Sequence, residues 1–289
     1  MSEPKVLLSG LRMPESARWH EGRLWFCNWV DRQVVAVGSD GRPEVVVAEA
    51  TSPQRPMGYS IDWLPDGRLL VTGDKLRRRE PDGSMATHAE QSANEIVVDA
   101  RGNVYVNGAD FGMTDVGDRP LTSTPPGYVK LITPDGRLRQ VADDIQFPNG
   151  MVITPDNQTL IISESFAGQL TAFDIEADGG LSNRRVFAEG LAPDGICLDA
   201  EGAVWVGAGV SSVVRVAEGG EVLQRVQLRE HRAPPALMLG GPDRRTLFLM
   251  TWEWHAADGA DANLQRLASG PRTAEILALP VSVPGAGRP

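Results

Sequence analysis

Cysteine is nearly absent: 289 residues hold only Cys27 and Cys197, far apart and each within an apolar, strand-like run. Such a pair reads as two buried free thiols, which excludes a disulfide scaffold and suits a reducing, cytoplasmic setting. Positive charge is also short. Lys and Arg number 28 against 38 Asp and Glu, a net charge of -10, so no basic stripe is available for a nucleic-acid partner. No apolar run is long enough to span a bilayer, and the opening MSEPKVLLSG, acidic early and apolar only from Val6 to Leu8, does not read as a signal peptide. The chain also lacks HExxH, CxxC, Walker and GxSxG patterns, which sets aside the chemistries those motifs carry.

Glycine and proline are plentiful, 31 and 21, and they punctuate short apolar runs in the manner of many tight turns. An apolar run, a Pro-Asp-Gly-like turn and a second apolar run recur six times, at residues 17–26, 63–71, 98–106, 153–162, 198–206 and 239–249. The mean spacing is about 44 residues, the length of a propeller blade. A second hairpin lies between successive copies, as in residues 33–48, 128–142 and 213–228. Two hairpins per repeat make a four-stranded antiparallel blade. The expectation is an all-β, six-bladed propeller forming one domain over residues 1–289, with Lys5 to Leu8 pairing into the last blade and closing the ring.

In such a fold the starts of the inner strands surround the axis. Counting back from the turns places Asn94, Asn149 and Asp194 in register, with Glu15 one residue nearer its own turn and Tyr59 and Ala236 at the remaining two positions. Carboxylates and amide oxygens converging on one channel repel unless a cation lies between them. Hard oxygen ligands favour calcium, with magnesium, manganese, zinc or iron(II) as alternatives. Loops after each second strand wall the same face and, with Tyr59 on the axis, supply candidates for substrate contact: Asn107, Phe111, Trp252 and His255. The long segment between Asn107 and Gly127 is a candidate lid.

The chain resembles the senescence marker protein 30, gluconolactonase and luciferin-regenerating enzyme family. The likeness is carried by FPNGMVITPDNQTLIISESFAGQLTAFDIEADGGLSNRRVF (147–187), APDGICLDAEGAVWVGAG (192–209) and the early Pro14-Glu15-Ser16. The resemblance implies a metal held by Glu15, Asn149 and Asp194, with Asn94 near substrate, and lactone hydrolysis as the commonest activity. Sugar lactonases of the family usually carry Arg two residues before that Asn, where this chain has Ser92. The departure, with Met57, Tyr59, Phe111, Phe166 and Trp252 nearby, points to a less polyhydroxylated substrate.

The sequence therefore reads as a metal-dependent hydrolase of a small cyclic ester, with the metal polarising the carbonyl and Asp194 as general base. Another electrophile hydrolase such as a phosphotriesterase, or a non-catalytic metal-binding propeller, is the alternative. The partner expected is a small-molecule substrate, and the chain is expected to be a monomer or small homo-oligomer.

Overall fold

The computed structural model describes residues 3–48, 60–109 and 126–287. They form six four-stranded antiparallel sheets, arranged as a six-bladed β-propeller. In five blades the strands follow chain order outward from the axis, whereas the sixth runs from Arg232–Gly240 through Thr246–Glu253 and Ala274–Pro280 to Lys5–Leu11. Lys5 faces Ala278 and Leu11 faces Ala274 in that last pairing. The chain start thus covers the edge that would otherwise be exposed, as the sequence leads one to expect.

The turn chemistry explains why the inner hairpins close where they do. In the first blade His20 pairs with Arg23 across Glu21 and Gly22, both at positive φ, +48° and +74°. A two-residue turn with both φ positive matches the twist of the flanking strands. Its shortness is why Glu15 lies one residue nearer its turn than Asn94, Asn149 and Asp194 lie to theirs. Elsewhere an aspartate shapes the loop: Asp99 Oδ1 accepts the amides of Arg101 and Asn103, both at 2.8 Å, and Asp199 Oδ1 accepts those of Glu201 and Ala203 at 2.9 and 3.1 Å.

Apolar packing lies between blades. Trp25, Cys27, Val34 and Ala36 of the first blade meet Ile61, Leu69 and Val71 of the second, and similar layers follow around the ring. The largest cluster joins the last blade to the first and includes Leu24, Phe26, Met250 and Trp252. Each such buried side chain contributes about 1.5–3 kcal/mol relative to exposure. Both cysteines are buried and free, as their placement in apolar runs predicts.

The helix Gly259–Ser269, inserted before the strand Ala274–Pro280, ties the last blade to the first. Arg12 Nη1 donates to Gly270 O at 2.8 Å, and Arg272 forms a two-pronged pair with Asp31. Among the described residues no helix is long and apolar enough to cross a membrane.

Asp199 is the most consequential of the turn aspartates. Its side chain is wholly buried and bonds Arg215 Nε at 2.5 Å. Asp199→Ala removes the acceptor of two loop amides and leaves a buried guanidinium with only the exposed Glu201; chemical denaturation is expected to show a loss of about 3 kcal/mol. Glu201→Ala, a control at the exposed partner, is expected to change stability by less than about 1 kcal/mol.

Candidate metal and active site

The axial ends of the inner strands are held by side chains from the strands beside them. Asn28 Oδ1 accepts the amide of Met13 at 3.4 Å, Thr72 Oγ1 that of Ser60 at 2.7 Å, Asn107 Oδ1 that of Glu95 at 3.1 Å and Glu164 Oε2 that of Gln146 at 2.8 Å. The second strand of four blades therefore fixes where the first begins, and the side chains at those beginnings converge.

Glu15 and Asp194 lie close enough across the axis to act electrostatically on one another. Burial, followed by the charges of Asp194 and Glu95, holds the Glu15 carboxyl well above its ordinary range. Burial, then Glu95, pushes Asp194 up to about 7, against a smaller lowering by the Gly195 amide. Asn94 Nδ2 donates to Asn149 Oδ1 at 3.3 Å. Gly150 N donates to Asp194 O at 3.1 Å, which joins the strand carrying Asn149 to the segment carrying Asp194. The structure thus gathers Glu15, Asn94, Asn149 and Asp194 at one end of the channel.

The glycines after two of these residues serve close packing at the axis. A Cβ at Gly150 would lie 2.6 Å from Asp194 O and 2.8 Å from Gly195 Cα, and one at Gly195 would lie 2.8 Å from Pro235 O. Asn149-Gly150 and Asp194-Gly195 are therefore contacts between adjacent blades, and neither asparagine nor aspartate is spent on closing a turn.

The donor set suits a hard divalent cation. Burial and neighbouring negative charge raise the proton affinity of both carboxylates, and among the described residues neither has a Lys, Arg or His partner, so a cation is the group that would relieve the pair. Among the described residues no cluster of three or more His, Cys, Asp or Glu forms a cage; with the two carboxylates, the amide oxygen of Asn149 would make a mixed oxygen set. Such a set favours calcium or another hard ion over softer metals. Backbone strain accompanies it: Ser16, after Glu15, has φ +50°, and Phe147, two residues before Asn149, has φ +58°. Conformations of this kind gather where the surrounding structure enforces a functional geometry.

Residues 13–253 match the family described as SMP-30/Gluconolactonase/LRE-like region. The chain belongs to this family. Regucalcin of Xenopus laevis is 30% identical over 280 residues, 90% of this chain and 89% of that one. A 6-deoxy-6-sulfogluconolactonase of Pseudomonas putida is 27% identical over 169 residues, so the match spans about half of that relative, 56% of each chain. A solved structure of regucalcin, a calcium-binding protein, from Agrobacterium tumefaciens has a TM-score of 0.77 at 21% identity, covering 100% of this chain and 96% of that one.

Within this SMP-30/gluconolactonase propeller, the side chains expected to face substrate fall into different places. Tyr59 and Phe111, with Met57 and most of the candidate lid, lie outside the described residues. Asn107 is wholly buried; its Nδ2 donates to Asn149 O at 2.6 Å while its Oδ1 accepts the Glu95 amide, so both ends of its side chain are engaged as a strut beneath the axial side chains. Trp252 is 6% exposed and packs between the last and first blades. His255 is half-buried on the last blade's insertion, its ring 4.4 Å from that of His231 and its backbone held by Asn263 at 2.9 and 2.8 Å.

Two features lay beyond the motif reading. Glu95, buried at the axis, accepts Ser16 Oγ at 2.5 Å, Ser60 Oγ at 2.6 Å and Arg18 Nη2 at 3.4 Å; the one available signal was a charge following Asn94 directly before the apolar run Ile96–Val98. Phe147 and Phe166 stack with centroids 4.3 Å apart, beside Asn149 in sequence and fold. Phe166 is an apolar candidate by sequence, but its pairing with Phe147 requires the chain to double back, Ser165 N reaching Phe147 O at 3.1 Å.

Two measurements follow from the packed carboxylates. Gly150→Ala forces adjacent blades apart at the axis and is expected to weaken calcium binding more than about tenfold by isothermal titration. The raised carboxyls also make stability pH-dependent. Without metal, the folded chain holds protons at Asp194 up to about 7 that the unfolded chain releases near pH 4. That stabilisation is complete below about pH 4 and lost as pH rises through the folded value. The metal-depleted protein is therefore expected to melt at progressively lower temperature from pH 5 to pH 8, and calcium at saturation to remove most of the decline.

Proposed function

We propose that this chain is a divalent-metal-dependent hydrolase of a small cyclic ester. The observation that carries the reading is the pair of buried carboxylates, Glu15 and Asp194, each raised by neighbouring negative charge and neither paired with a cation among the described residues. Membership of the SMP-30/gluconolactonase family supports it, as does the lactonase name borne by the Pseudomonas putida relative.

Glu15, Asn149 and Asp194 would hold the ion, calcium being the first expectation, and when bound it would polarise the ester carbonyl as a Lewis acid. Asp194 is the general base: it takes a proton from the water whose oxygen adds to the carbonyl carbon, and returns it as the ring carbon–oxygen bond breaks, leaving a hydroxy acid. Asn94, whose Nδ2 already bonds Asn149 Oδ1 at 3.3 Å, orients substrate. Asn107 and Glu95 keep the ring of ligands in place and act through it. Ser92 stands where sugar lactonases of the family carry Arg, and the stacked Phe147 and Phe166 offer an apolar border, so we assign a lactone with few hydroxyls.

Proton release on a panel of aliphatic to sugar-derived lactones tests the reading, first with metal-depleted protein and then with calcium, manganese, zinc or iron(II) restored. Metal-dependent release, strongest on the less hydroxylated lactones, is the expected result. Asp194→Asn keeps an oxygen ligand but removes the base; metal binding is expected to persist while kcat falls at least about 100-fold. Full turnover by that variant with metal bound would remove Asp194 from the chemistry. Metal-dependent hydrolysis of phosphotriesters with silence on every lactone would instead place the site among other electrophile hydrolases.

A further inference from the structure

The opposite end of the propeller, where the inner hairpins turn, carries a second cavity. It measures about 300 Å3, within the range of pockets that take small organic ligands. The two blades that close the ring build it, with Trp19, His20 and Glu21 from the first, Met238 and Arg244 from the last, and Gly287 at its end. The inner strand Pro14–His20 separates this cavity from the carboxylates, because Glu15 opens that strand and His20 closes it.

Its walls are rigid. Trp19 stacks on Phe248 with centroids 5.7 Å apart, and a Cβ at Gly240 would overlap the indole, so the ring is packed tightly against the last blade. His20 stacks on Trp63 at 4.0 Å, and its carbonyl accepts Trp25 Nε1 at 3.2 Å. Arg244, at φ +57°, is pinned through its backbone: its N donates to Gly241 O at 3.0 Å and its O accepts Gly285 N at 2.9 Å. The guanidinium lies against Gly287.

Charge at this cavity is specific. Among the described residues Arg244, exposed at the cavity, makes no ion pair or side-chain hydrogen bond, so its guanidinium is free to take an anion. Burial lowers the His20 pKa, so the imidazole adds a hydrogen-bonding edge and little charge at neutral pH. Glu21, its side chain 81% exposed and 3.9 Å from His20 Nε2, adds negative charge at the rim and disfavours a dianion.

The geometry points to a second ligand site at this face, for a small monocarboxylate on a flat apolar body. Arg244 takes the carboxylate, for which a guanidinium offers two parallel donors. Trp19 and Met238 border the apolar body, and Glu21 selects against a second negative charge. The site is separate from the carboxylate ring and does not require it to be catalytic.

The test is calorimetric titration of the full chain, metal-depleted so that a carboxylate has no ion to meet on the axis, with benzoate, benzamide and phenyl phosphate as probes. Benzoate is expected to bind at one site per chain and more tightly than either of the others. Arg244→Asn, which keeps a residue suited to positive φ, is expected to weaken benzoate at least about tenfold with an unchanged melting temperature. Gly150→Ala and Asp194→Asn are expected to leave benzoate binding as it was. Absence of saturation below about 10 mM, benzoate binding indifferent to Arg244→Asn, or its loss in Asp194→Asn would each overturn the assignment.

Discussion

The repulsion between Glu15 and Asp194 is the constraint around which the rest of this propeller is organised. Two carboxylates brought out of water beside a third, Glu95, oppose the folded state at neutral pH, and closure of the ring leaves them no route apart. Everything that fixes the inner strands works against this repulsion: the side-chain struts Asn28, Thr72, Asn107 and Glu164, the glycines that let neighbouring blades touch, and the apolar layers between blades. Arg18 and the hydroxyls of Ser16 and Ser60 engage Glu95, yet the first two carboxylates are left to each other. A scaffold that imposes such a pair has prepared a strong local field for a cation.

The fold was legible because its turns repeat. A Gly or Asn at one point of five of the six inner hairpins, with Arg244 at that point in the last, spaced by the length of four strands, is a local signal that survives in a single sequence, and the alternation of apolar runs around it reports the sheets. The ring positions were legible for the same reason: Glu15, Asn94, Asn149 and Asp194 stand at nearly fixed offsets from those turns. The one-residue irregularity at Glu15 resolves into the two-residue turn at Glu21 and Gly22, a difference of loop length that leaves its place at the axis unchanged.

Side-chain direction was not legible. Asn107 and Trp252 both end second strands, and position alone suggested that they face a ligand; whether such a residue turns inward to a backbone amide, between blades, or toward solvent depends on neighbours distant in sequence. Asn107 meets Asn149, and Trp252 meets the first blade. The stacking of Phe147 on Phe166 likewise depends on a kink at positive φ that no composition reveals. The glycines after Asn149 and Asp194 are required by the backbone of the adjacent blade, which excludes a side chain there, a constraint that a single sequence does not display.

The pairing of Lys5–Leu11 with Ala274–Pro280 also bears on how the molecule comes into being. Those strands are separated by nearly the whole chain, so a polypeptide emerging from its N-terminus carries an unsatisfied β-strand until the last blade has been made. At ordinary translation rates of about 5–20 residues per second, that interval is on the order of tens of seconds. The first blade must also wait for Arg272 to reach Asp31. Folding is therefore expected to finish after synthesis, with a slow step set by the meeting of two distant ends.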